Sequence, residues 1–465
     1  MTLAPAGGRR GSRLAALRVP LSFQLTRYRI AIALLTLLAF VLRVAYIIST
    51  HGFAPQHDAH HYDLDALYIA NEHRYPPLFA PNGTSIPNAY RPPVYEVFLA
   101  VIYKANYLLG GSGTSRWATA RVVEAAIGAI AVAALALIAR RLWGRRVSLV
   151  TAAIAAIFPP IIFVAESLYS EALFVPLVVF ATAAIVEYRY RRKWWILILA
   201  GVLTGLAALT REYGAVLVIP FCVALRPRDG WTRNSLAPIT VLIACTFVIV
   251  IPWTIRNAVV LHAFVPVSTS TGNTIAGTYN SVSRDARHDP AAWRDPSKIP
   301  DFRRIYAIAH QNQAKMNSSL ESAAFAFIGR HPAYPFVVAY WNTVRMLELA
   351  GFHRSEATAH YIGVPPGDTD VGIYVLWLLL LLAIGGCFTP QVRSGPKWVW
   401  LIPVLMYLSV VFTQSETPRF RSPIDPFLVM LASIALVNVW DLAARRFSAP
   451  VTSSRRGAPA AGSGL

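Results

Sequence analysis

Runs of roughly 20 apolar residues recur between positions 30 and 441, each long enough as a helix to cross about 30 Å of hydrocarbon. Ten are legible, at approximately 30–49, 117–139, 147–165, 171–188, 194–210, 213–225, 236–256, 371–388, 398–413 and 423–441. The fifth and sixth are short for spans, and Thr210–Tyr213 between them reads as a tight outer turn. Two further apolar stretches, 93–109 and 332–349, start at prolines and carry Glu96 and Lys104, and Arg345 and Glu348. They read as helices lying along the outer membrane surface. The pattern therefore predicts an all-α polytopic membrane protein, with about ten transmembrane helices plus outer juxtamembrane helices.

Charge supplies the direction of threading. Six arginines and no acid precede the first run (Arg9, Arg10, Arg13, Arg18, Arg27 and Arg29), which places the N-terminus in the cytoplasm. Residues 30–49 then read as a retained first span and not as a cleaved signal. Further basic clusters follow at 140–146, 189–193, 226–233, 393–397 and 445–456. With the first six arginines they hold 23 of the 43 basic residues, against only Glu187, Asp229 and Asp441. The rest of the chain balances, so the whole net charge of +20 falls on one side. That distribution is a positive-inside pattern and not a nucleic-acid surface. Both termini are then cytoplasmic: a basic segment over 1–29, a membrane domain over 30–442, and a disordered Ala, Gly, Ser and Pro-rich tail over 443–465.

Composition agrees. Of the 465 residues, 55% are hydrophobic and 14% charged, too little charge to coat a soluble surface. The three cysteines, Cys222, Cys245 and Cys387, lie in apolar runs and read as small core residues. Two outer loops are long, 51–116 and 257–370, and their Tyr, Trp, His and Asn content predicts ordered structure. No internal repeat of the transporter kind is visible.

Candidate chemistry gathers at the outer ends. The first loop opens with His57-Asp58-Ala59-His60-His61-Tyr62-Asp63-Leu64-Asp65. As a helix this puts Asp58, Tyr62 and Asp65 on one face. Asp58 is a candidate general base; a polar helix cap is the plainer alternative. His57 and His61 share a face too, which suits a metal with Asp58 or two hydrogen-bonding interfacial histidines. In Tyr90-Arg91-Pro92-Pro93, Arg91 can fork onto a lipid phosphate or snorkel to ordinary headgroups. After Phe158-Pro159-Pro160 come Glu166 and Glu171, acids embedded in apolar sequence and functional candidates for that reason. Glu171 can equally cap the helix it starts, or share a metal or an acceptor hydroxyl with Asp58. Thr210-Arg211-Glu212-Tyr213 and Pro252-Trp253-Thr254-Ile255-Arg256-Asn257 sit at outer ends, and Gly272 and Gly277 in the second loop permit tight turns or close ligand approach. Arg419 and Arg421 lie where the charge rule disfavours them and need anionic partners: Asp425, Glu416 or a bound phosphate. Asn82-Gly83-Thr84 and Asn317-Ser318-Ser319 match the glycosylation pattern, which is common by chance.

Together these motifs resemble a family. The order is Asp58 with Tyr62, Arg91-Pro92-Pro93, Glu171-Ala172-Leu173-Phe174 after a Phe-Pro-Pro turn, Leu209-Thr210-Arg211, Pro252-Trp253 with Arg256-Asn257, and Arg419-Phe420-Arg421-Ser422-Pro423. The chain is similar, over roughly 30–440, to integral-membrane glycosyltransferases with the GT-C fold. Nearest are the bacterial relatives of protein O-mannosyltransferases and the lipid A aminoarabinose transferase. Asp58-Ala59 departs from the Asp-Glu pair of the protein mannosyltransferases, and Glu171 stands where some relatives have Asp.

The resemblance implies an inverting glycosyltransferase of a bacterial inner membrane with its site facing outward. It would move one sugar from a polyprenyl-phosphate donor to a glycan, lipid or protein acceptor. Asp58 would be the base or the acceptor-orienting acid and Glu171 the second acid, the two holding a divalent cation (Mg or Mn) if one is present. Arg91, Arg256, Arg419 and Arg421 would hold the donor phosphate. Tyr62, Asp65, Tyr90 and Glu166 complete the candidate substrate-binding set. The rivals are a flippase or transporter for a lipid-linked glycan and an oligosaccharide ligase or polymerase. Polar residues clustered at one rim favour one-sided chemistry.

Overall fold

A computed structural model describes residues 21–79, 85–226, 233–309, 312–413 and 418–448. The first four arginines, Asn82-Gly83-Thr84, Asp229, Glu416 and the tail after 448 lie outside them. The described chain is helical apart from one two-residue antiparallel ladder, Leu78–Phe79 against Ser85–Ile86. In the first half the helices are α1 Leu21–Ser49, α2 His57–Glu72, α3 Val94–Leu108, α4 Ser115–Trp143, α5 Arg145–Ile157, α6 Pro159–Ala165, α7 Glu171–Arg191, α8 Trp194–Ala208, α9 Val218–Leu225 and α10 Arg233–Leu261. The second long loop holds α11 Thr271–Thr278, α12 Ser281–Arg284, α13 Arg303–Ala309, α14 Gln313–Arg330, α15 Tyr334–Met346 and α16 Phe352–His360. Then follow α17 Pro366–Cys387, α18 Pro390–Ser394, α19 Lys397–Val411 and α20 Asp425–Ser448.

All ten expected apolar segments are helical. Among the described residues six helices are long and apolar enough to cross a membrane. The pair α5 and α6, bent by 57°, is apolar enough together for one further broken span or a re-entrant loop. The bend falls at Phe158-Pro159-Pro160, where proline cannot continue the ladder of the preceding turn. Three apolar helices are shorter than a full crossing: Trp194–Ala208, Glu212–Leu225 and Lys397–Val411. The two stretches read as surface helices are α3 and α15, of 15 and 13 residues.

Helix α7 lies at the centre. Its apolar window is 94% buried, because it is hydrophobic on every face and packs on α4, α8, α6 and α9. At its far end Glu187 binds Arg141 of α4 at 2.5 Å and Arg191 at 2.6 Å, while Arg146 binds Asp441 of α20 at 2.6 Å. Arg141, Arg146 and Arg191 thus meet acids at one end of the bundle, and the last turns of α4 and α7 carry cations, where the helix dipole favours them. The two long loops close the other end. There α11, α13, α14 and α15 share a small core of their own around Ile275, Phe302, Leu320, Phe327 and Val338.

Small residues let the helices approach. Gly201 and Gly205 form a four-residue repeat on α8 facing α10. A Cβ at Gly205 would lie 2.7 Å from Ile249 Cβ and 2.9 Å from the Thr246 carbonyl. Gly205→Leu should therefore force α8 and α10 apart at a cost of about 1–3 kcal/mol, read as earlier thermal unfolding in detergent. Unfolding unchanged from wild type would show that these helices do not meet there.

Candidate active site

The site begins at the first turn of α2. Asp58 stands one residue after His57, which has a φ of +49° and sets its ring against Tyr361 at a tilt of 59°, with centroids 4.1 Å apart. Arg91, from the Tyr90-Arg91-Pro92-Pro93 segment before α3, donates from Nη2 to Asp58 Oδ1 at 2.6 Å. Arg419, from a short 3-10 turn before α20, donates from Nη2 to Asp58 Oδ2 at 2.6 Å. The same guanidinium brings its Nε to 3.8 Å from Glu171 Oε1. Arg211, in the turn after α8, pairs with Glu171 from the other side. The result is one chain of alternating charge, Arg91–Asp58–Arg419–Glu171–Arg211.

Aromatic and hydroxyl groups hold this chain in place. The Arg91 guanidinium lies over the Tyr62 ring at 4.6 Å, and that of Arg419 over Tyr169 at 4.6 Å. Tyr62 donates to Ser170 Oγ at 3.2 Å, and Ser170 lies 3.4 Å from Glu171 Oε2. The Tyr169 hydroxyl donates to the Tyr361 carbonyl at 3.0 Å. Ser422 donates to the Arg419 carbonyl at 2.7 Å and closes the turn that presents Arg419. The second loop is tied on at both flanks: Asn273 donates to the Tyr90 hydroxyl at 2.7 Å, and Ser270 donates to Glu212 at 2.6 Å.

Three cations face two anions, so the chain carries a net charge of +1. Arg419 Nε and Nη1 and Arg211 Nε are buried without an acceptor. Buried guanidinium N–H groups are costly when unpaired, so these donors are set for an anion. Asp58 is the open member, with 35% of its side chain exposed, while Glu171 is fully enclosed. Burial alone would raise the Asp58 carboxyl, but Arg91 and then Arg419 outweigh it and hold the group well below the ordinary carboxylate range.

The expected site residues divide clearly. Asp58, Glu171, Arg91, Arg419 and Tyr62 come together, and Tyr90 flanks Arg91 with its ring 5.7 Å from that guanidinium. Arg421 does not join them. It donates to Asp425 at 2.9 Å and to the Met346 carbonyl at 2.5 Å, and lies 3.7 Å from Glu348. Among the anions expected for it, Asp425 is the one found. Arg256 also stands apart, donating to the Asn88 carbonyl at 2.5 Å and stacking on Tyr75 and Trp253. Asp65 turns toward Glu96 and Tyr75, where burial raises both carboxyls, Glu96 the more. Glu166 is buried in a separate layer with Arg43 and Arg121, whose Nε donates to the Glu166 carbonyl at 2.8 Å. Arg211 carries a role that sequence reasoning left unassigned; its signal was a lone cation closing an apolar helix in Leu209-Thr210-Arg211. Gly272 and Gly277 serve packing, since a Cβ would fall 2.3 Å from the Asn317 carbonyl or 2.0 Å from Trp293 Nε1.

A divalent cation shared by Asp58 and Glu171 does not fit this arrangement. Arg419 stands between the two carboxylates, and each already faces a second guanidinium. Among the described residues no three His, Cys, Asp or Glu side chains group as metal ligands, the His57, His61 and Asp58 set included.

Beside Arg91 an open cleft of about 440 Å³ runs between α2, α3, α8 and α10, lined chiefly by Ile69, Val97, Leu209, Ile249, Pro252 and Trp253. Tyr75 joins it to the site by donating to the Arg91 carbonyl at 3.3 Å.

Comparison with known proteins gives the same class. Residues 90–255 match the sequence family described as dolichyl-phosphate-mannose-protein mannosyltransferase, a stretch that contains Arg91, Glu171 and Arg211. No curated protein matches. Among solved structures, the archaeal oligosaccharyltransferase AglB from Archaeoglobus fulgidus, in complex with an inhibitory peptide and a dolichol-phosphate, matches with a TM-score of 0.55 at 14% identity. The match covers 91% of this chain and 52% of that one. The Archaeoglobus fulgidus oligosaccharyltransferase tethered with an acceptor peptide containing the NVT sequon gives 0.53 at 13% identity, over 91% of this chain and 51% of that chain. The same enzyme in complex with Zn and sulfate gives 0.50 at 15% identity, over 90% and 50%. This chain therefore spans about half the length of the structures it matches. It is a GT-C-fold membrane protein whose residues 90–255 are similar to the mannosyltransferase family.

The low proton affinity of Asp58 has a measurable sign. A carboxyl whose pKa is depressed on folding contributes stability that is fully present above the unfolded pKa of about 3.9 and is lost as pH falls toward the folded value. The stability gap between wild type and Asp58→Asn should be constant from about pH 8 to 5 and narrow only below about pH 4. A gap that closed near neutrality would mean that Asp58 is not held between the two arginines.

Proposed function

We propose that the protein is an inverting glycosyltransferase that moves a single sugar from a polyprenyl-phosphate donor to an acceptor hydroxyl on the extracytoplasmic side of a bacterial inner membrane. The carrying observation is the alternating ion-pair chain with its surplus cation and its buried guanidinium donors without acceptors. A lipid-phosphate leaving group needs that surplus, because its charge grows as the sugar departs. The apolar cleft beside Arg91 suits the isoprenoid chain. The basic far end supports an outward-facing site. The dolichol-phosphate and the acceptor peptide of the archaeal neighbour point to the same two substrate roles.

The chemistry follows from who holds which partner. The acceptor oxygen attacks the anomeric carbon from the face opposite the phosphate. The bond from that carbon to the phosphate oxygen breaks, and its electron pair stays on the phosphate. The hydroxyl proton passes to Asp58. A carboxylate gripped by two guanidiniums is a poor base, so donor binding has a second effect. As Arg91 and Arg419 turn their N–H groups to the phosphate, Asp58 loses the charges that depress its proton affinity. Glu171 keeps Arg419 and Arg211 in position during the exchange.

Purified protein incubated with a panel of polyprenyl-phosphate sugars should release polyprenyl phosphate with one of them. Asp58→Asn should abolish release while the protein still inserts and folds, a loss of about a hundredfold or more. Arg419→Lys should weaken transfer because an ammonium cannot bridge Asp58 and Glu171. An active Asp58→Asn enzyme would remove the proposed base. Flux of labelled lipid across vesicles without covalent transfer would support the flippase instead.

A further inference from the structure

The turn that carries Arg211 also carries a hydroxyl that the proposed reaction leaves unused. Arg211, Glu212 and Tyr213 follow α8 and open a 3-10 turn, Glu212–Leu217, that leads into α9. Their side chains go three ways. Arg211 pairs with Glu171, and Glu212 accepts from Ser268 and Ser270 of the second long loop. Tyr213 sets its ring edge-on to Phe174 of α7, with centroids 5.0 Å apart, and packs on the small apolar cluster of Met346, Val410, Val411 and Phe420. Its hydroxyl is buried and has no hydrogen-bond partner among the described residues. A buried phenol normally finds a partner, and leaving it without one costs the desolvation of the group. Phenylalanine would fill the same space without that cost.

The surroundings show what this hydroxyl faces. The charges that act on it most are Arg211, Glu171 and Arg419, three of the five members of the ion-pair chain. The two guanidiniums converge on one oxygen, Glu171 Oε1. Both also lie over the Phe420 ring, Arg419 at 4.9 Å and Arg211 at 5.6 Å from its centroid. That ring belongs to the cluster on which Tyr213 packs. Arg419 Nε and Nη1, Arg211 Nε and the Tyr213 hydroxyl are thus four buried donors without acceptors at one end of the chain. A water has two lone pairs and accepts from two of them. A phosphate, with several anionic oxygens, accepts from all four.

We propose that Tyr213 donates its O–H to the phosphate of the polyprenyl-phosphate donor, as a neutral ligand beside Arg419 and Arg211. The inference rests on the reading of that chain as the phosphate site. A phenol suits the position for two reasons. It adds a donor without a further positive charge, so it does not tighten the hold on Glu171. Its ring is already fixed against Phe174, so little side-chain freedom is lost when the phosphate arrives. The phenol keeps its proton throughout. As the bond to the anomeric carbon breaks, charge grows on the phosphate and the hydrogen bond to it strengthens, which is the direction catalysis requires.

The test uses the full chain in detergent, with polyprenyl phosphate as the probe, polyprenol as the control that lacks the phosphate, and thermal unfolding measured in parallel. Tyr213→Phe should unfold no earlier than wild type, since it removes only a hydroxyl without a partner. It should bind polyprenyl phosphate about ten- to a hundredfold more weakly, the worth of a hydrogen bond to a charged group, and bind polyprenol as wild type does. The dependence of phosphate binding on salt should stay that of wild type, because no charge has been removed. Wild-type affinity for polyprenyl phosphate in Tyr213→Phe overturns the contact. A loss accompanied by a flatter salt dependence also overturns it, since Tyr213 would then act only by placing the arginines. Wild-type protein that binds polyprenyl phosphate no better than polyprenol overturns the phosphate site, and this inference with it.

Discussion

One guanidinium organises the loop-covered end of this bundle. Arg419 reaches two carboxylates that the chain places on different helices, Asp58 at the start of α2 and Glu171 at the start of α7. Either acid alone, buried beside apolar helices, would be driven to take up a proton or to leave the interior. Either can stay only because a cation lies on each side of it. Removing the central cation would leave two like charges facing each other, so the three segments must arrive together. Arg421 secures their arrival by binding Asp425, the Met346 carbonyl and Glu348, and so anchors the Arg419 turn to α20 and to the second loop.

The helix arrangement follows from that requirement. The Phe158-Pro159-Pro160 bend turns α6 away from α5 and lets residues 166–170 cross the outer end before α7 descends through the centre. The short helix Trp194–Ala208 turns back at Thr210, where Arg211 reaches Glu171. Glycines at 201 and 205 bring α10 close behind it. At the opposite end the demands are weaker, and pairs such as Arg146 with Asp441 are largely exposed and contribute little.

The fold was legible because apolar length and the placement of arginines are one-dimensional signals. The ten apolar segments are helical, and Arg141, Arg146 and Arg191 of the basic clusters pair at one end of the bundle. The site was legible in part, for a physical reason. Sequence shows that a charge is out of place but not which counter-charge it meets. Arg419 and Arg421 are two residues apart in the same unfavourable setting, yet one faces Asp58 and the other Asp425. Arg256 sat in an equally suggestive motif and instead braces the cleft wall against Tyr75 and Trp253. Arg211 was visible as a lone cation, but its importance depends on the direction of the turn after α8. Asp65 shares the helical face of Asp58, yet seven positions carry it to Glu96 and Tyr75.

The charge inventory of the site also suits exchange better than permanence. Without an anionic ligand, Asp58 and Glu171 satisfy most of the guanidinium groups, so the cavity does not collapse or draw in arbitrary anions. In the reaction we propose, a donor phosphate would replace Asp58 as the partner of Arg91 and Arg419, and the desolvation already accepted in folding would not be met a second time. Asp58, the more exposed of the two acids, is the one that can yield. Glu171, fully enclosed and held by Arg211, is the one that cannot. The asymmetry between two carboxylates of the same formal charge is therefore a matter of burial, and in the proposed reaction it would separate the proton acceptor from the acid that holds the arginines.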